Sequence, residues 1–125
     1  MKISVPLLVT ALALLPQPAR RPAQAPALDE LTIAQAHAAM QAGRLTCAAL
    51  VDFYLGRIEA HDKRGAAINA ITVVNPEARS QAEALDRRFT AGGLTGPLHC
   101  VPAIVKDNFE TIGLQTAAGS LALQD

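Results

Sequence analysis

The chain has 125 residues, which allows one small domain at most. Half of the residues are hydrophobic and 18% are charged, so the composition is that of a globular protein rather than a disordered one. The 11 basic and 11 acidic residues give a formal net charge of zero, and no basic stripe is visible. The composition therefore argues against a nucleic-acid partner.

The first 27 residues have the pattern of an export signal. Lys2 supplies a short positive start, and residues 3–15 are an apolar run without charge. This run is shorter than the about 20 residues that a membrane-spanning helix needs, so no stable membrane anchor is predicted. Ala25-Pro26-Ala27 has the small residues of a cleavage site. We expect a periplasmic or extracellular protein whose mature chain starts near Leu28.

Two short helices are predicted next. Thr32 and Gln35 form a capping-box pattern at the start of the first helix, and Gly43 can end it. Thr46 can cap the second helix, which should end near Asp62. Its apolar side is predicted from residues at helical spacing, namely Leu50, Val51, Tyr54, Leu55 and Ile58.

Two strands and a third helix are predicted in the second half of the chain. Residues 68–74 are rich in β-branched side chains and predict a strand. Asn75-Pro76 should end that strand and open a helix, which Gly92-Gly93 should stop. Residues 101–105 are apolar and contain a proline, so they predict a strand at an edge or a bulge. The element order predicts an α/β architecture with a strand–helix–strand crossover.

The third helix should bury one side and expose a charged pair. Glu83 and Arg87 have the spacing of an ion pair on the exposed side. The buried side is predicted to consist of Ala78, Ala82, Leu85 and Phe89.

Cys47 and Cys100 are the two cysteines of the chain. Their spacing matches no zinc pattern, and two cysteines cannot define a disulfide framework. Two interpretations remain open: two small buried side chains, or a single disulfide if the protein is exported.

A lysine directly follows the second predicted strand, in the order Lys106-Asp107-Asn108. Burial would disfavour the charged amine, and a neutral lysine can act as a general base near neutral pH. By itself, however, Lys-Asp-Asn after a strand is typical of a solvated loop. Asp107 and Asn108 are expected to shape the turn rather than to react. His37 is interpreted as a histidine at the edge of the core, without a catalytic role.

The stretch Gly-Pro-Leu-His-Cys-Val-Pro at residues 96–102, followed by Lys-Asp-Asn, resembles the amidase-signature family. Thr111-x-Gly113 and residues 116–120 continue the likeness, which covers roughly residues 30–124. The resemblance implies the N-terminal part of the amidase-signature fold, a mixed sheet flanked by helices, incomplete in this chain. Cys100 departs from the pattern, because the family often has glycine there.

The same resemblance implies a hydrolase that acts on the carbon–nitrogen bond of a small-molecule amide. In that family a lysine at the position of Lys106 works with two serines, one of them in a cis peptide, and no metal or organic cofactor is implied. The serines here are Ser4, Ser80 and Ser120, and none lies in the Gly/Ser-rich segment that carries the family's pair. Residues 28–125 are therefore expected to be truncated before the serines and inactive by themselves.

Two alternatives to an exported amidase remain. The first is a non-catalytic exported remnant that acts as a binding or interaction module, which a stop codon after codon 125 would support. An in-frame Gly/Ser-rich continuation would instead support the enzyme. The second alternative is a subunit of a tRNA-dependent amidotransferase, and the export signal argues against it because that reaction is cytoplasmic. The sequence indicates no particular substrate or oligomeric state.

Overall fold

The structure is a computed structural model, and it describes residues 27–123. That range contains three α-helices: α1 (Ile33–Gln41), α2 (Cys47–Arg57) and α3 (Ala78–Gly92). A π-helical turn (Ile58–Lys63) continues α2, and a 3₁₀ turn spans Leu121–Leu123. None of the helices in this range is long and apolar enough to cross a membrane. The predicted export signal, apart from Ala27, lies outside the described residues.

The capping box predicted for α1 is confirmed. The Thr32 hydroxyl accepts a hydrogen bond from the Gln35 backbone N–H at 3.3 Å, and the Gln35 side chain accepts one from the Thr32 N–H at 2.9 Å. These two bonds satisfy N–H groups that have no partner inside the helix. Gly43 follows the end of α1 as predicted, and its N–H donates to the Met40 carbonyl at 2.9 Å.

The predicted cap and end of the second helix are also confirmed. The Thr46 hydroxyl accepts a hydrogen bond from the Ala49 N–H at 3.0 Å, and the helical backbone ends at Lys63, next to Asp62. Gly65 then turns the chain with a φ of +56°, and a Cβ added there would lie 2.7 Å from the Ala60 carbonyl oxygen. Only glycine fits this turn without displacing the π-helical backbone.

The packing of α2 against α3 forms most of the core, with α1 beside it. Ala82 is buried, and Leu85 and Phe89 pack against the buried cluster, which confirms the predicted apolar side of α3. The buried hydrophobic residues of the described range are Ala36, Ala39, Met40, Leu45, Cys47, Leu50, Ala82 and Cys100. The core is therefore built from small side chains and is correspondingly small.

Two details of α3 differ from the predictions. The helix begins at Ala78 rather than at Pro76, because the Asn75 side chain accepts the Glu77 N–H at 2.9 Å and forms a turn ahead of the helix. Glu83 pairs with Arg79 instead of Arg87. The reason is that the Arg79 guanidinium lies between the two helices, where it also contacts Asp52 of α2.

The two predicted strands are wrong for the part of the chain that the structure describes. Residues 68–74 and 101–105 run without regular structure and join no β-ladder. In the first segment, the N–H groups of Ala70 and Ile71 donate to the Asp62 carboxylate, at 2.6 and 3.3 Å, instead of to a neighbouring strand. Strand propensity becomes a strand only where another segment offers ladder partners. The α/β architecture and its crossover are therefore not observed in residues 27–123, which are mainly helical.

Candidate active site

The segment that leads to the candidate lysine is anchored by a turn over residues 97–100. The His99 N–H donates to the Gly96 carbonyl at 3.2 Å and closes the turn predicted at Gly96-Pro97. Cys100 ends the turn with a φ of +59°, in the left-handed region that favours glycine. Its sulfur is joined to that of Cys47 in a disulfide, with the two Cα atoms 5.2 Å apart. The turn is thus fixed to the first residue of α2.

His99 fills the space beside the disulfide and is only 4% exposed. Its Nδ1 is hydrogen-bonded to the Thr95 hydroxyl at 2.9 Å, and its Nε2 lies 3.7 Å from the Cys47 sulfur. Its carbonyl oxygen accepts a hydrogen bond from the ring of His37 at 2.9 Å, and its ring lies 5.8 Å from that of Phe89. His37 is half-buried at the edge of the core, which agrees with its interpretation from the sequence.

No role is predicted for His99 from the sequence. The only available signal is its position inside the motif over residues 96–102. Its contacts with Thr95, Cys47 and His37 join segments that are mostly far apart in the chain, so no local pattern predicts them.

Lys106 lies at the end of residues 101–105 and is exposed. Within residues 27–123, no side chain or carbonyl forms a hydrogen bond or ion pair with its amine. The neighbouring apolar side chains are also uncovered: Ile104 is 80% exposed and Val105 is 52% exposed. The desolvation that would keep the lysine neutral is therefore not observed here, and the catalytic role of Lys106 stays a prediction.

Asp107 organises the backbone around the lysine. Its two carboxylate oxygens accept the N–H groups of Ala117 at 3.2 Å and Gly119 at 3.3 Å, and its carbonyl accepts the Ala118 N–H at 3.2 Å. These bonds hold the loop of residues 116–120 against the turn that carries Lys106. The expectation that Asp107 shapes this region is confirmed.

The two serines in the described range do not contact the lysine. The Ser80 hydroxyl donates to the Glu77 carbonyl at 3.0 Å on the exposed side of α3. Ser120 is half-buried after the loop of residues 116–120, and its N–H donates to the Ala117 carbonyl at 2.8 Å. Neither hydroxyl is placed to exchange a proton with Lys106, which agrees with the prediction that neither is the nucleophile. Ser4 lies outside the described residues.

An open cavity of about 380 Å³ lies next to the lysine turn. Its lining includes Asp107 and Gly119 on one side and Thr72 and Val73 on the other. Residues 68–74 thus approach the Asp107-organised loop although the two are separated in sequence. The cavity is wide and shallow, so it offers a surface beside Lys106 rather than an enclosed pocket.

Three buried groups have the chemistry of metal ligands. The ligand atoms of Cys47, His99 and Cys100 all lie within 4.8 Å of one another. Zinc binds cysteine as thiolate. Because both sulfurs are joined in the disulfide, this cluster offers a metal ion only the imidazole nitrogen of His99.

Comparison with known proteins gives a consistent family. Residues 49–125 match the model of the family described as Amidase. The A-type subunit of the glutamyl-tRNA(Gln) amidotransferase of Granulibacter bethesdensis is 43% identical over 100 residues, which are 79% of this chain and 19% of the relative. The protein of the same description from Geobacter sulfurreducens is 44% identical over 97 residues, covering 77% of this chain and 19% of the relative.

A solved structure shares the fold. The native peptide amidase from Stenotrophomonas maltophilia matches with a TM-score of 0.74 and 42% identity, over 77% of this chain and 20% of that one. This chain therefore spans about a fifth of the length of the relatives that it matches.

Proposed function

Because this chain belongs to the amidase family, we propose that it carries the catalytic lysine of an exported amidase that hydrolyses carbon–nitrogen bonds in small-molecule amides. The observation that carries the proposal is the position of Lys106. It follows an anchored turn and precedes the Asp107-organised loop in a chain that is 42% identical to a peptide amidase. The similarity to proteins named for amide chemistry favours an enzyme over a non-catalytic binding module.

In the proposed reaction the neutral amine of Lys106 accepts a proton through a serine held in a cis peptide. A second serine attacks the amide carbonyl and expels the amine, and water then hydrolyses the acyl-enzyme. Backbone N–H groups would stabilise the oxyanion. The described residues contribute the lysine and its support. The serine pair and the oxyanion site enter only as part of the proposal, on the strength of the family resemblance.

The surface around Lys106 supports this role. Ile104, Val105 and Phe109 flank the lysine and are each more than half exposed, with Phe109 at 61%. An apolar surface of this kind is suited to being covered by another segment or by a substrate. Covering it would transfer the amine to a medium that disfavours the ammonium form, which is the condition that a general base needs.

The test is amide hydrolysis by the natural gene product, measured as ammonia released from small primary amides and from peptide amides. Lys106→Met removes the amine but keeps the length of the side chain. It should lower kcat/KM by about 10²- to 10⁴-fold, the usual contribution of a general base. The matched control is Arg88→Gln, which removes an exposed cation on α3 and should leave activity unchanged. Near-normal turnover by a folded Lys106→Met variant would remove Lys106 from the mechanism.

A second candidate function is participation in a tRNA-dependent amidotransferase. The similarity to the amidotransferase proteins of two bacteria favours it, whereas the export pattern of residues 1–27 argues against it. Cell fractionation distinguishes the two candidates. The exported amidase requires the protein in the periplasm or medium, whereas the amidotransferase requires it in the cytoplasm.

A further inference from the structure

We propose that Cys47 and Cys100 form a native disulfide, assembled with the help of His99, whose role is to position the segment that carries Lys106. Formation of the crosslink does not depend on the proposed function. Only its consequence for Lys106 rests on that function.

The backbone at Cys100 indicates that a cysteine here serves a purpose. Its φ of +59° lies in a region that residues with a Cβ rarely adopt, because the Cβ approaches the backbone. Glycine adopts this conformation without that conflict. A cysteine in the conformation of a glycine costs free energy, and its bond to Cys47 offsets that cost.

The position of Cys47 makes the pairing specific. The two Cα atoms are 5.2 Å apart, within the range of about 4.4 to 6.8 Å that disulfides need. Both residues are buried, at 1% and 7% exposure. The chain has only these two cysteines, so no other intrachain pairing competes.

His99 supplies the acid–base chemistry that forming the bond requires. Its Nδ1 is hydrogen-bonded to Thr95, which leaves Nε2, 3.7 Å from the Cys47 sulfur, to accept the thiol proton. The resulting thiolate is the reactive form. It attacks the disulfide of a dithiol oxidoreductase and expels one of that protein's sulfurs as a thiolate. Cys100 then gives up its proton and attacks the Cys47 sulfur, expelling the second sulfur. Two electrons and two protons pass to the oxidoreductase, which leaves as a dithiol.

The crosslink matters because residues 101–105 have no ladder of their own in the described chain. Their position depends on their two ends. At one end the disulfide joins the turn of residues 97–100 to α2, and at the other Asp107 binds the loop of residues 116–120. Reduction releases the first of these anchors and leaves Lys106 attached through Asp107 alone.

The first experiment determines the state of the two sulfurs in the natural, exported protein. Free thiols are alkylated during unfolding without reductant, and the digested protein is examined by mass spectrometry. We expect no alkylated cysteine and a peptide pair joined through Cys47 and Cys100. Alkylation of both cysteines would overturn the proposal. Stoichiometric zinc released together with two thiols would also overturn it, in favour of a metal site.

The second experiment tests positioning without measuring activity. Hydrogen exchange of residues 97–106 is compared in the oxidised and the reduced natural protein. Exchange should become faster on reduction, whereas the double variant Cys47→Ser/Cys100→Gly should be insensitive to reductant. Equal exchange in the oxidised and reduced states of the natural protein would contradict the positioning role.

The part played by His99 has its own test. Reduced natural protein and a His99→Gln variant are reoxidised with oxidised glutathione as the probe. The variant should form the same disulfide, but about tenfold more slowly below neutral pH, because fewer Cys47 thiols are ionised. Equal rates at every pH would remove His99 from the reaction.

Discussion

The carboxylate of Asp86, on α3, lies 2.7 Å from the backbone nitrogen of Cys47 at the start of α2. Its second oxygen accepts the Ala48 N–H at 3.0 Å. A carboxylate in this position satisfies two N–H groups that have no partner within the helix and stabilises the positive end of the helix dipole. One side chain therefore joins α3 to the residue that holds the disulfide.

Replacing Asp86 should destabilise the protein measurably. Asp86→Ala leaves the first N–H groups of α2 without their carboxylate and should lower the free energy of unfolding by about 1–2 kcal/mol. Urea denaturation checks this value. The matched control is Asp52→Ala, which removes an exposed ion pair with Arg79 and should cost less than about 1 kcal/mol. Equal losses in the two variants would show that Asp86 acts only as a surface charge.

Asp62 makes stability depend on pH in the acid range. Burial by itself would raise the pKa of this carboxyl, but hydrogen bonds from Lys63 and from the N–H groups of Ala70 and Ile71 hold the pKa below its ordinary value of 3.8. Because the folded pKa is lower than the unfolded one, the stabilisation is fully present above the unfolded pKa. It is lost as the pH falls through the folded pKa.

The measurement is urea unfolding of the natural protein and of an Asp62→Asn variant from about pH 7 down to about pH 3. The variant should be less stable near neutral pH, and its stability should fall less steeply in acid. Parallel curves for the two proteins would mean that Asp62 has the same pKa in the folded and unfolded states.

Asp107 is predicted to act on the lysine region through the backbone. Asp107→Ala removes the acceptors for Ala117 and Gly119, so hydrogen exchange in residues 116–120 should become faster. Asp107→Asn keeps one acceptor oxygen and should have a smaller effect. If Asp107→Ala abolished amide hydrolysis while exchange in the loop stayed unchanged, the residue would have a direct chemical role instead.

Export predicts a defined N-terminus. The natural protein recovered from the periplasm or medium should begin near Leu28, because the small residues at positions 25 and 27 suit a signal peptidase. N-terminal sequencing or intact mass measurement checks this directly. A matched variant with Ala25→Arg and Ala27→Arg should retain the first 27 residues. Recovery of the natural protein with those residues intact would contradict the prediction of a cleaved signal.

The predictions that succeeded concern contacts between neighbours in the sequence. Thr32 and Gln35 are three residues apart, as are Thr46 and Ala49, and both caps form as predicted. The apolar side of α3 follows from a helical repeat, which is also local. Such features depend on a few adjacent residues, so a pattern in the chain is enough to identify them.

The predictions that failed depend on distant partners. Residues 68–74 have the composition of a strand, but Asp62 and Lys63 bind their backbone and no ladder forms in the described part. Lys106 follows an apolar segment, but nothing in the described range covers it, so the expected desolvation is not observed. Composition reports what a segment tolerates, whereas burial and pairing depend on what lies opposite.

The sequence by itself determined the helices and their caps, the family resemblance, and Lys106 as the candidate catalytic residue, because short-range spacing and a contiguous motif carry this information. Only the tertiary structure decided that Cys47 reaches Cys100 across 53 residues, that His99 is buried beside them, and that Asp86 caps α2. These contacts arise when α2 packs against α3 and the turn of residues 97–100 closes over them. That packing is set by how side chains fill a shared core, which no local pattern in the chain records.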